Sequence, residues 1–237
     1  MPSTAVKIRI AYIEEPPFYW TGDDHRATGA DIELADIVLG AIGVSSIEHH
    51  LTSFEEFLPG VQEGRWDMNV PIFVTAERAQ HIAFSVPVWK SGDGFLVRPG
   101  NPKALTSYEA VAARSDARLG LIPAQVQFRS AKAAGVIDNQ IVVFKDQPEA
   151  IAALLAGKIG AFAGTALGNR SVANADHAME AVALDADKSE ALVGAFSFCK
   201  DNTALLQAVN EHLLQYLGSP DHRQRMAKYG FTSTEIG

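Results

Sequence analysis

The chain alternates between a hydrophobic period of two, typical of strands, and a period near 3.6, typical of helices. Residues 6–12 alternate apolar and polar side chains and therefore predict a strand. The following segment has one apolar face, carries Asp31 and Glu33 in its first turn and meets Gly43 at its end. Acidic residues favour a helix start and glycine favours a helix stop, so this segment predicts a helix that ends at Gly43.

The same alternation predicts elements through to the end of the chain. Ser53 and Glu56 have the spacing of a capping box, which predicts the start of a second helix. Further strands are predicted at 66–74, 93–98, 118–122, 140–144, 159–163 and 192–199, and further helices at 125–134, 147–156, 203–217 and 220–229. Strands that alternate with helices pair in parallel beneath helices on both faces, so the predicted fold class is α/β.

A segment rich in proline and glycine, 98–102, separates two such runs and predicts a boundary between two lobes. The segment that comes nearest to a membrane span, 150–168, contains Lys158 and interrupting glycines, so it fits a buried helix, a turn and a buried strand better. Residues 1–5 lack the basic and apolar regions of a signal peptide. Two interpretations follow: the chain stays in the cytoplasm, or it is periplasmic after removal of a leader.

Composition excludes several classes of protein and of site. Of the 237 residues, 47% are hydrophobic and 20% charged, which is typical of globular proteins, and the net charge is −8. Without a basic cluster, such a chain is a poor binder of nucleic acid or of anionic membranes. Cys199 is the only cysteine, which excludes an intrachain disulfide and a cysteine-rich zinc site. No metal, cofactor or catalytic motif is recognisable, so we predict no cofactor, no metal ion and no catalytic residue.

The strongest local signal for a binding site is Arg78. Thr75 predicts an N-cap directly after an apolar run, which places Arg78 in the first turn of a helix. A guanidinium there opposes the helix dipole, unless the arginine and the free amides jointly hold an anion such as a carboxylate. The alternative is an Arg78 paired with a nearby acidic residue, and the motif by itself leaves both open.

A second signal is the loop that follows the first strand. Glu14 and Glu15 precede two prolines, and Phe18, Tyr19 and Trp20 follow them. Carboxylates beside aromatic rings provide a seat for an organic cation. The alternative is a loop whose rings fill the protein's own core.

Several segments, in the same order along the chain, resemble the polar-amino-acid family of extracytoplasmic solute-binding proteins, which deliver ligands to ABC importers. These segments are Pro17-Phe18, Gly29-Ala30-Asp31-Ile32, 58–67, Thr75-Ala76-Glu77-Arg78, Phe84-Ser85-Val86-Pro87, 150–161 and Lys228-Tyr229-Gly230-Phe231. The resemblance implies a two-lobed, type II periplasmic-binding-protein-like fold whose lobes are joined by two crossing strands near 95–102 and 194–201. Lobe 1 would then be 1–97 and 201–237, and lobe 2 would be 98–200. The implied partners are a small zwitterionic ligand and the membrane subunits of an ABC permease, and the protein is expected to be a monomer.

The resemblance matches Phe18 to the family's aromatic wall and Arg78 to its carboxylate-binding arginine. Three other positions depart from the family. Phe73 replaces a small polar residue, Gln125 lies in the turn that matches a Gly-Ser/Thr turn, and Thr165 replaces the aspartate that holds a ligand's ammonium. An ordinary α-amino acid would leave its ammonium poorly paired in such a site, which disfavours this class of ligand.

The spacing from Glu15 to Phe18 and from Phe73 to Arg78 looks like that of the ectoine and hydroxyectoine binders of this family. Ectoine carries a carboxylate and a delocalised amidinium on a ring, which suits an arginine, a glutamate and flat aromatic walls. We therefore expect an ectoine-like ligand or a modified amino acid, with any cation met from the first lobe by Glu14 or Glu15. The rings expected to face it are Phe18, Phe54, Phe73, Trp20 and Trp89.

Two other functions use the same scaffold. A cyclohexadienyl dehydratase needs a general acid over the leaving hydroxyl, and the matching stretch 165–168 contains no acidic residue. A ligand-sensing domain would share the binding chemistry and differ only in its partner. The sequence therefore predicts a solute-binding protein and not an enzyme.

Overall fold

The computed structural model describes residues 6–184 and 192–236, which form two compact units. Unit 1 contains the described residues up to Ile13, the segment Phe18–Lys90 and the described residues from Leu192 onward. Unit 2 contains Glu14–Pro17 and the described residues from Ser91 to Leu184. Each unit has its own sheet and its own core.

Thirteen strands and ten α-helices are present in the described residues. The strands are β1 (Lys7–Tyr12), β2 (Trp20–Thr21), β3 (Ala27–Thr28), β4 (Ser46–Leu51), β5 (Met68–Phe73), β6 (Ala83–Phe84), β7 (Trp89–Ser91), β8 (Asp93–Val97), β9 (Leu119–Leu121), β10 (Ile141–Val143), β11 (Ala161–Thr165), β12 (Glu180–Ala183) and β13 (Leu192–Phe198). The helices are α1 (Ala30–Ala41), α2 (Phe57–Gln62), α3 (Ala76–Ala79), α4 (Tyr108–Ala112), α5 (Val126–Ala133), α6 (Gln147–Leu155), α7 (Ala166–Ala175), α8 (Thr203–Tyr216), α9 (Pro220–Ala227) and α10 (Ser233–Ile236). None of these described helices combines the length and the apolar character that crossing a membrane requires.

The main sheet of unit 1 has the order β4-β1-β5-β13-β6, and β7 also pairs with β13. Strand β1 is parallel to β4 and to β5, whereas β13 is antiparallel to β5. All six residues of β5 are buried, as expected for an inner strand that is covered on both faces. The buried end of β5 leads directly into α3, which carries Arg78.

The sheet of unit 2 has the order β10-β9-β11-β8-β12. Strand β9 is parallel to β10 and β11, whereas β8 is antiparallel to β11 and β12. Phe95, Val97, Leu119 and Leu121 form part of its core and are all fully buried. Strand β8 of this sheet is linked to helices α4 and α5, because side chains of both helices donate hydrogen bonds to Asp93.

The α/β class predicted from the sequence is confirmed, but parallel pairing is not universal. The antiparallel strands β8 and β13 are the first strands that the chain forms in its sheet after it has changed unit. Neither strand is reached through a helical crossover within its own sheet, so nothing requires it to run parallel to its neighbours. Periodicity alone does not reveal this change of unit.

Three other expectations differ from the arrangement in the structure. Ser53 makes no side-chain cap, and the residues Phe54–Glu56 after it form a 3₁₀ turn before α2, so the predicted capping box is wrong. The segment expected near 95–102 as a crossing begins inside β8 of unit 2, and 194–198 lies inside β13 of unit 1. Apart from the short segment Glu14–Pro17, the chain changes unit at Lys90–Ser91 and again before Leu192, whereas the sequence predicted limits at 97/98 and 200/201. The proline- and glycine-rich segment marks the end of β8 and not the change of unit.

Candidate functional site

The position of Arg78 is fixed by the end of β5 and the start of α3. Thr75 is the N-cap of α3, and its hydroxyl accepts a hydrogen bond from the Arg78 backbone amide at 3.1 Å. The Arg78 Nη1 atom donates to the carbonyl oxygen of Phe73 at 2.8 Å, and Arg78 is only 7% exposed. Because α3 is a single turn of four residues, the charge of the guanidinium itself dominates the local electrostatics.

An aromatic ring lies beneath this guanidinium. The Arg78 Cζ atom is 5.0 Å from the ring centroid of Phe54, which is the geometry of a cation–π contact. The Phe54 ring contacts Phe57, with ring centroids 5.4 Å apart, and Phe57 is fully buried. The guanidinium is therefore held between a main-chain carbonyl and a ring that is itself fixed by packing.

Next to Arg78 in unit 1 lies an aromatic cluster of four rings: Phe18, Phe73, Trp89 and Phe231. The Trp89 ring centroid is 5.0 Å from that of Phe18 and 5.5 Å from that of Phe73, which it meets edge-on. Phe231 also meets Phe18 edge-on, at 5.8 Å. Phe73 belongs to this cluster through its side chain and contacts Arg78 through its carbonyl, so the rings and the guanidinium form one continuous group.

Asp31 orients the central ring of the aromatic cluster. Its carboxylate accepts the indole N–H of Trp89, with Nε1 at 3.0 Å from Oδ1 and 3.2 Å from Oδ2, and it is completely buried. The Asp31 backbone amide donates to the carbonyl of Phe18 at 2.9 Å. Gly29 permits this approach, because a Cβ atom there would lie 2.4 Å from the Phe18 carbonyl oxygen and its φ is +125°. Asp31 thus fixes Trp89 and the main chain of Phe18 together.

From the sequence, Asp31 was a helix-start signal and part of a family-like segment but not a predicted site residue, and Phe231 was given no role in the site. The sequence signal for Asp31 was an acidic residue between Ala30 and Ile32, and the structure shows its carboxylate fully buried. The contact of Phe231 with Phe18 joins distant parts of the chain, and no local pattern indicates it.

Glu15 and Gln125 lie together in unit 2. The Gln125 Nε2 atom donates to Glu15 Oε2 at 3.2 Å, and the two residues are only 7% and 8% exposed. Glu14 and Glu15 were expected to act from the first lobe, but Glu14–Pro17 groups with unit 2, where this hydrogen bond holds Glu15. Glu14 is half-buried.

Two further predicted site residues are Thr165 in unit 2 and Trp20 in unit 1. Thr165 is the N-cap of α7, and its hydroxyl accepts from the Gly168 amide at 2.9 Å. Trp20 meets the ring of Tyr229 edge-on at 6.3 Å. Tyr229 lines an open cavity of about 440 Å³ in unit 1, whose carboxylates Glu33 and Asp36 are engaged by neighbouring side chains. Across 6–184 and 192–236, no three His, Cys, Asp or Glu side chains are grouped to hold a metal ion.

Comparison with known proteins identifies the family to which the chain belongs. Residues 8–232 match the bacterial extracellular solute-binding proteins, family 3. The probable amino-acid ABC transporter periplasmic-binding protein y4tE of Sinorhizobium fredii (strain NBRC 101917 / NGR234) is 29% identical over 237 residues, which cover 97% of this chain and 78% of the relative.

Two solved structures are similar over nearly the whole chain. EhuB in complex with hydroxyectoine has a TM-score of 0.86 at 27% identity, covering 95% of this chain and 89% of EhuB. The ancestral amino acid-binding protein AncCDT-1, a precursor of cyclohexadienyl dehydratase, has a TM-score of 0.81 at 22% identity, covering 94% of each chain. The second likeness bears on the fold alone, and together they agree with a two-lobed α/β architecture.

Proposed function

Because the chain belongs to the bacterial extracellular solute-binding proteins, family 3, we propose that it captures a small zwitterion whose carboxylate binds Arg78. The protein is a solute-binding component of the amino-acid ABC importer type. We propose that it works in the periplasm, as a monomer, and passes its ligand to the membrane subunits of an ABC permease. The name of the relative y4tE, a periplasmic-binding protein, supports this assignment.

The observation that carries the proposal is the constrained, nearly buried guanidinium of Arg78. A guanidinium offers five N–H donors in a planar fork, which matches the two oxygens of a carboxylate. The carbonyl of Phe73 and the ring of Phe54 hold this fork in one orientation. Little side-chain entropy is then lost when an anion binds, and the low local dielectric strengthens the ion pair.

The ligand class follows from the charge that surrounds the proposed site. Thr165 is neutral and its hydroxyl already accepts the Gly168 amide, so it offers no negative charge to pair with an α-ammonium group. We propose a cyclic or N-substituted zwitterion, ectoine-like, whose delocalised cation contacts Glu15 and Gln125. Glu14 remains a proposed contact, as do the rings Phe18, Phe54, Phe73, Trp89 and Trp20. The hydroxyectoine in the similar EhuB structure supports this class.

We propose binding without chemical conversion of the ligand. The family is one of solute-binding proteins, and the residues that follow Thr165, Ala166–Gly168, offer no carboxylate to act as a general acid.

The test is a binding measurement on the wild type and on Arg78→Ala. A thermal-shift panel of ectoine, hydroxyectoine, L-proline, glycine betaine, L-arginine and L-glutamine identifies the ligand, because a ligand at about 100 times its Kd stabilises the protein by about 2.7 kcal/mol. Calorimetry with that ligand then gives the Kd. Loss of a charge-assisted hydrogen bond of about 1.5–3 kcal/mol predicts a Kd that is about 10- to 100-fold higher in Arg78→Ala.

Two variants control this experiment. Arg223→Ala removes an exposed arginine on α9 of the same unit and is expected to leave the Kd unchanged. Arg78→Lys keeps the charge but loses the fork, so an intermediate Kd is expected. A wild-type Kd in folded Arg78→Ala would overturn the assignment, and the absence of a thermal shift with every member of the panel would overturn the proposed function.

A further inference from the structure

The carboxylate of Asp93, the first residue of β8, accepts hydrogen bonds from side chains of two helices. The Tyr108 hydroxyl of α4 donates to Asp93 Oδ2 at 2.8 Å, and the Gln127 amide of α5 donates to Asp93 Oδ1 at 2.8 Å. Burial raises the pKa of the Asp93 carboxyl, and hydrogen bonding by these side chains opposes that rise. Asp93 therefore joins the edge of a strand to α4 and α5.

Helix α5 differs from its neighbours at its N-terminus. In the described part of unit 2, α4, α6 and α7 are each capped by the side chain of their N-cap residue, namely Ser107, Asp146 and Thr165. The N-cap residue of α5 is Gln125, and its side chain makes no cap hydrogen bond. That side chain donates to Glu15 instead.

The bond between Asp93 and Gln127 anchors the first turn of α5 from outside the helix. Gln127 lies two residues after Gln125, in the first turn of α5, and is only 3% exposed. Ala124, just before Gln125, has a φ of +60°, which an alanine adopts at a cost in strain. An uncapped turn that also carries strain needs an anchor from elsewhere in the fold, and Gln127 provides that anchor through Asp93.

We propose that Asp93 is a positioning residue that holds the first turn of α5, so that the Gln125 side chain is available to the ligand and to Glu15 instead of capping its own helix. This inference rests on the proposed function, because it assumes that Gln125 contacts the ligand. Asp93 is also the Cα partner of Thr165 across the β8–β11 pair, so this anchor is next to a second candidate residue. Asp93 acts through Gln127 and needs no contact with the ligand itself.

The test compares the two hydrogen bonds that Asp93 accepts from Gln127 and Tyr108. Gln127→Met removes the hydrogen bond from α5 to Asp93 at nearly constant side-chain volume, and Tyr108→Phe removes the hydrogen bond from α4 to Asp93. The probe is hydroxyectoine or L-arginine, whichever stabilises the wild type more, and its Kd is measured by calorimetry well below the Tm of each variant. We expect the Kd to rise about fivefold in Gln127→Met and to stay within about twofold in Tyr108→Phe, while both variants lower the Tm.

Two further measurements separate positioning from general stability. Gln125→Ala and Gln127→Met are combined, and their effects on Kd are expected to be non-additive, because both act through one contact. Asp93→Asn retains a carbonyl oxygen for Gln127 and is expected to restore most of the affinity that Asp93→Ala loses. Equal Kd values for wild type and Gln127→Met, or equal losses in Gln127→Met and Tyr108→Phe, would overturn the inference.

The same set distinguishes this inference from the proposed function. If the wild type binds the probe and Arg78→Ala weakens it, while Gln127→Met does not, the positioning role of Asp93 alone is overturned. If no panel ligand stabilises the wild type, the proposed function fails and the inference fails with it.

Discussion

The two units bury charge in different ways. In unit 1, Arg78 lies over the ring of Phe54 and Asp31 accepts the indole N–H of Trp89, so each charge is fixed against an aromatic side chain. In unit 2, Asp93 accepts from the hydroxyl of Tyr108, a ring packed against Phe95, and also from the unbranched, rotatable side chain of Gln127. Packed rings cannot move without leaving a void, whereas a hydrogen-bond network readjusts by small rotations.

This difference indicates a division of labour within the proposed function. Unit 1 offers a guanidinium beside packed rings, whose geometry is set before a ligand arrives. Unit 2 offers side chains at helix starts, Gln125 and Thr165, whose orientation depends on polar anchors. Disturbing each kind of anchor should therefore have different consequences.

The largest effect is expected when the anchor of unit 1 is removed by Asp31→Ala. This change leaves the buried Trp89 N–H without the acceptor it now has, and we expect the free energy of unfolding to fall by about 2–3 kcal/mol. Urea unfolding followed by circular dichroism measures this value. The matched control is Asp31→Asn, which keeps one acceptor oxygen and should recover a large part of the loss. A loss below about 0.5 kcal/mol in Asp31→Ala would show that the indole is not held by this carboxylate.

A smaller effect is expected at the helix start in unit 2 that carries Thr165. Thr165→Ala removes the cap of α7 and should cost about 1 kcal/mol of unfolding free energy. Thr165→Asp keeps a capping oxygen, so its stability should stay near that of the wild type, while it adds a carboxylate. We expect it to lower the Kd for L-glutamine or L-arginine, measured by calorimetry. An unchanged Kd for both amino acids in folded Thr165→Asp would mean that Thr165 does not face the ligand.

Much of unit 1 could be predicted from sequence because its signals are local. The apolar run before Thr75 indicated a buried strand followed by the turn that carries Arg78, and β5 and α3 have this arrangement. The anchors could not be predicted, because they join distant residues. Asp31 and Trp89 are 58 positions apart, and Glu15 and Gln125 are 110 positions apart. Neither pair leaves a periodic signal, since each depends on how strands from separate parts of the chain are brought together.

The smallest expected effect is a difference in pH dependence between one carboxylate in each unit. Burial raises the pKa of Asp93 in unit 2. Burial acts in the same direction on Asp67 in unit 1, but the hydrogen bonds and the charge of Arg9 outweigh it and hold the pKa of Asp67 below its ordinary 3.8. Asp67 accepts from the Arg9 guanidinium at 2.9 Å, whereas the hydrogen bonds to Asp93 come from neutral donors.

Because folding shifts the pKa values of Asp93 and Asp67 in opposite directions, their contributions to the unfolding free energy should change with pH in opposite directions. A carboxyl whose pKa is raised by folding stabilises the fold at low pH and loses that contribution as the pH rises through its folded pKa. A carboxyl whose pKa is lowered stabilises the fold above its unfolded pKa and loses that contribution as the pH falls through its folded pKa. The unfolding free energy of the wild type minus that of Asp93→Asn should therefore fall as the pH rises above about 4. The unfolding free energy of the wild type minus that of Asp67→Asn should instead rise as the pH rises towards about 4. Urea unfolding between pH 3 and 7 measures both differences, and two slopes of the same sign would show that the units do not differ in this way.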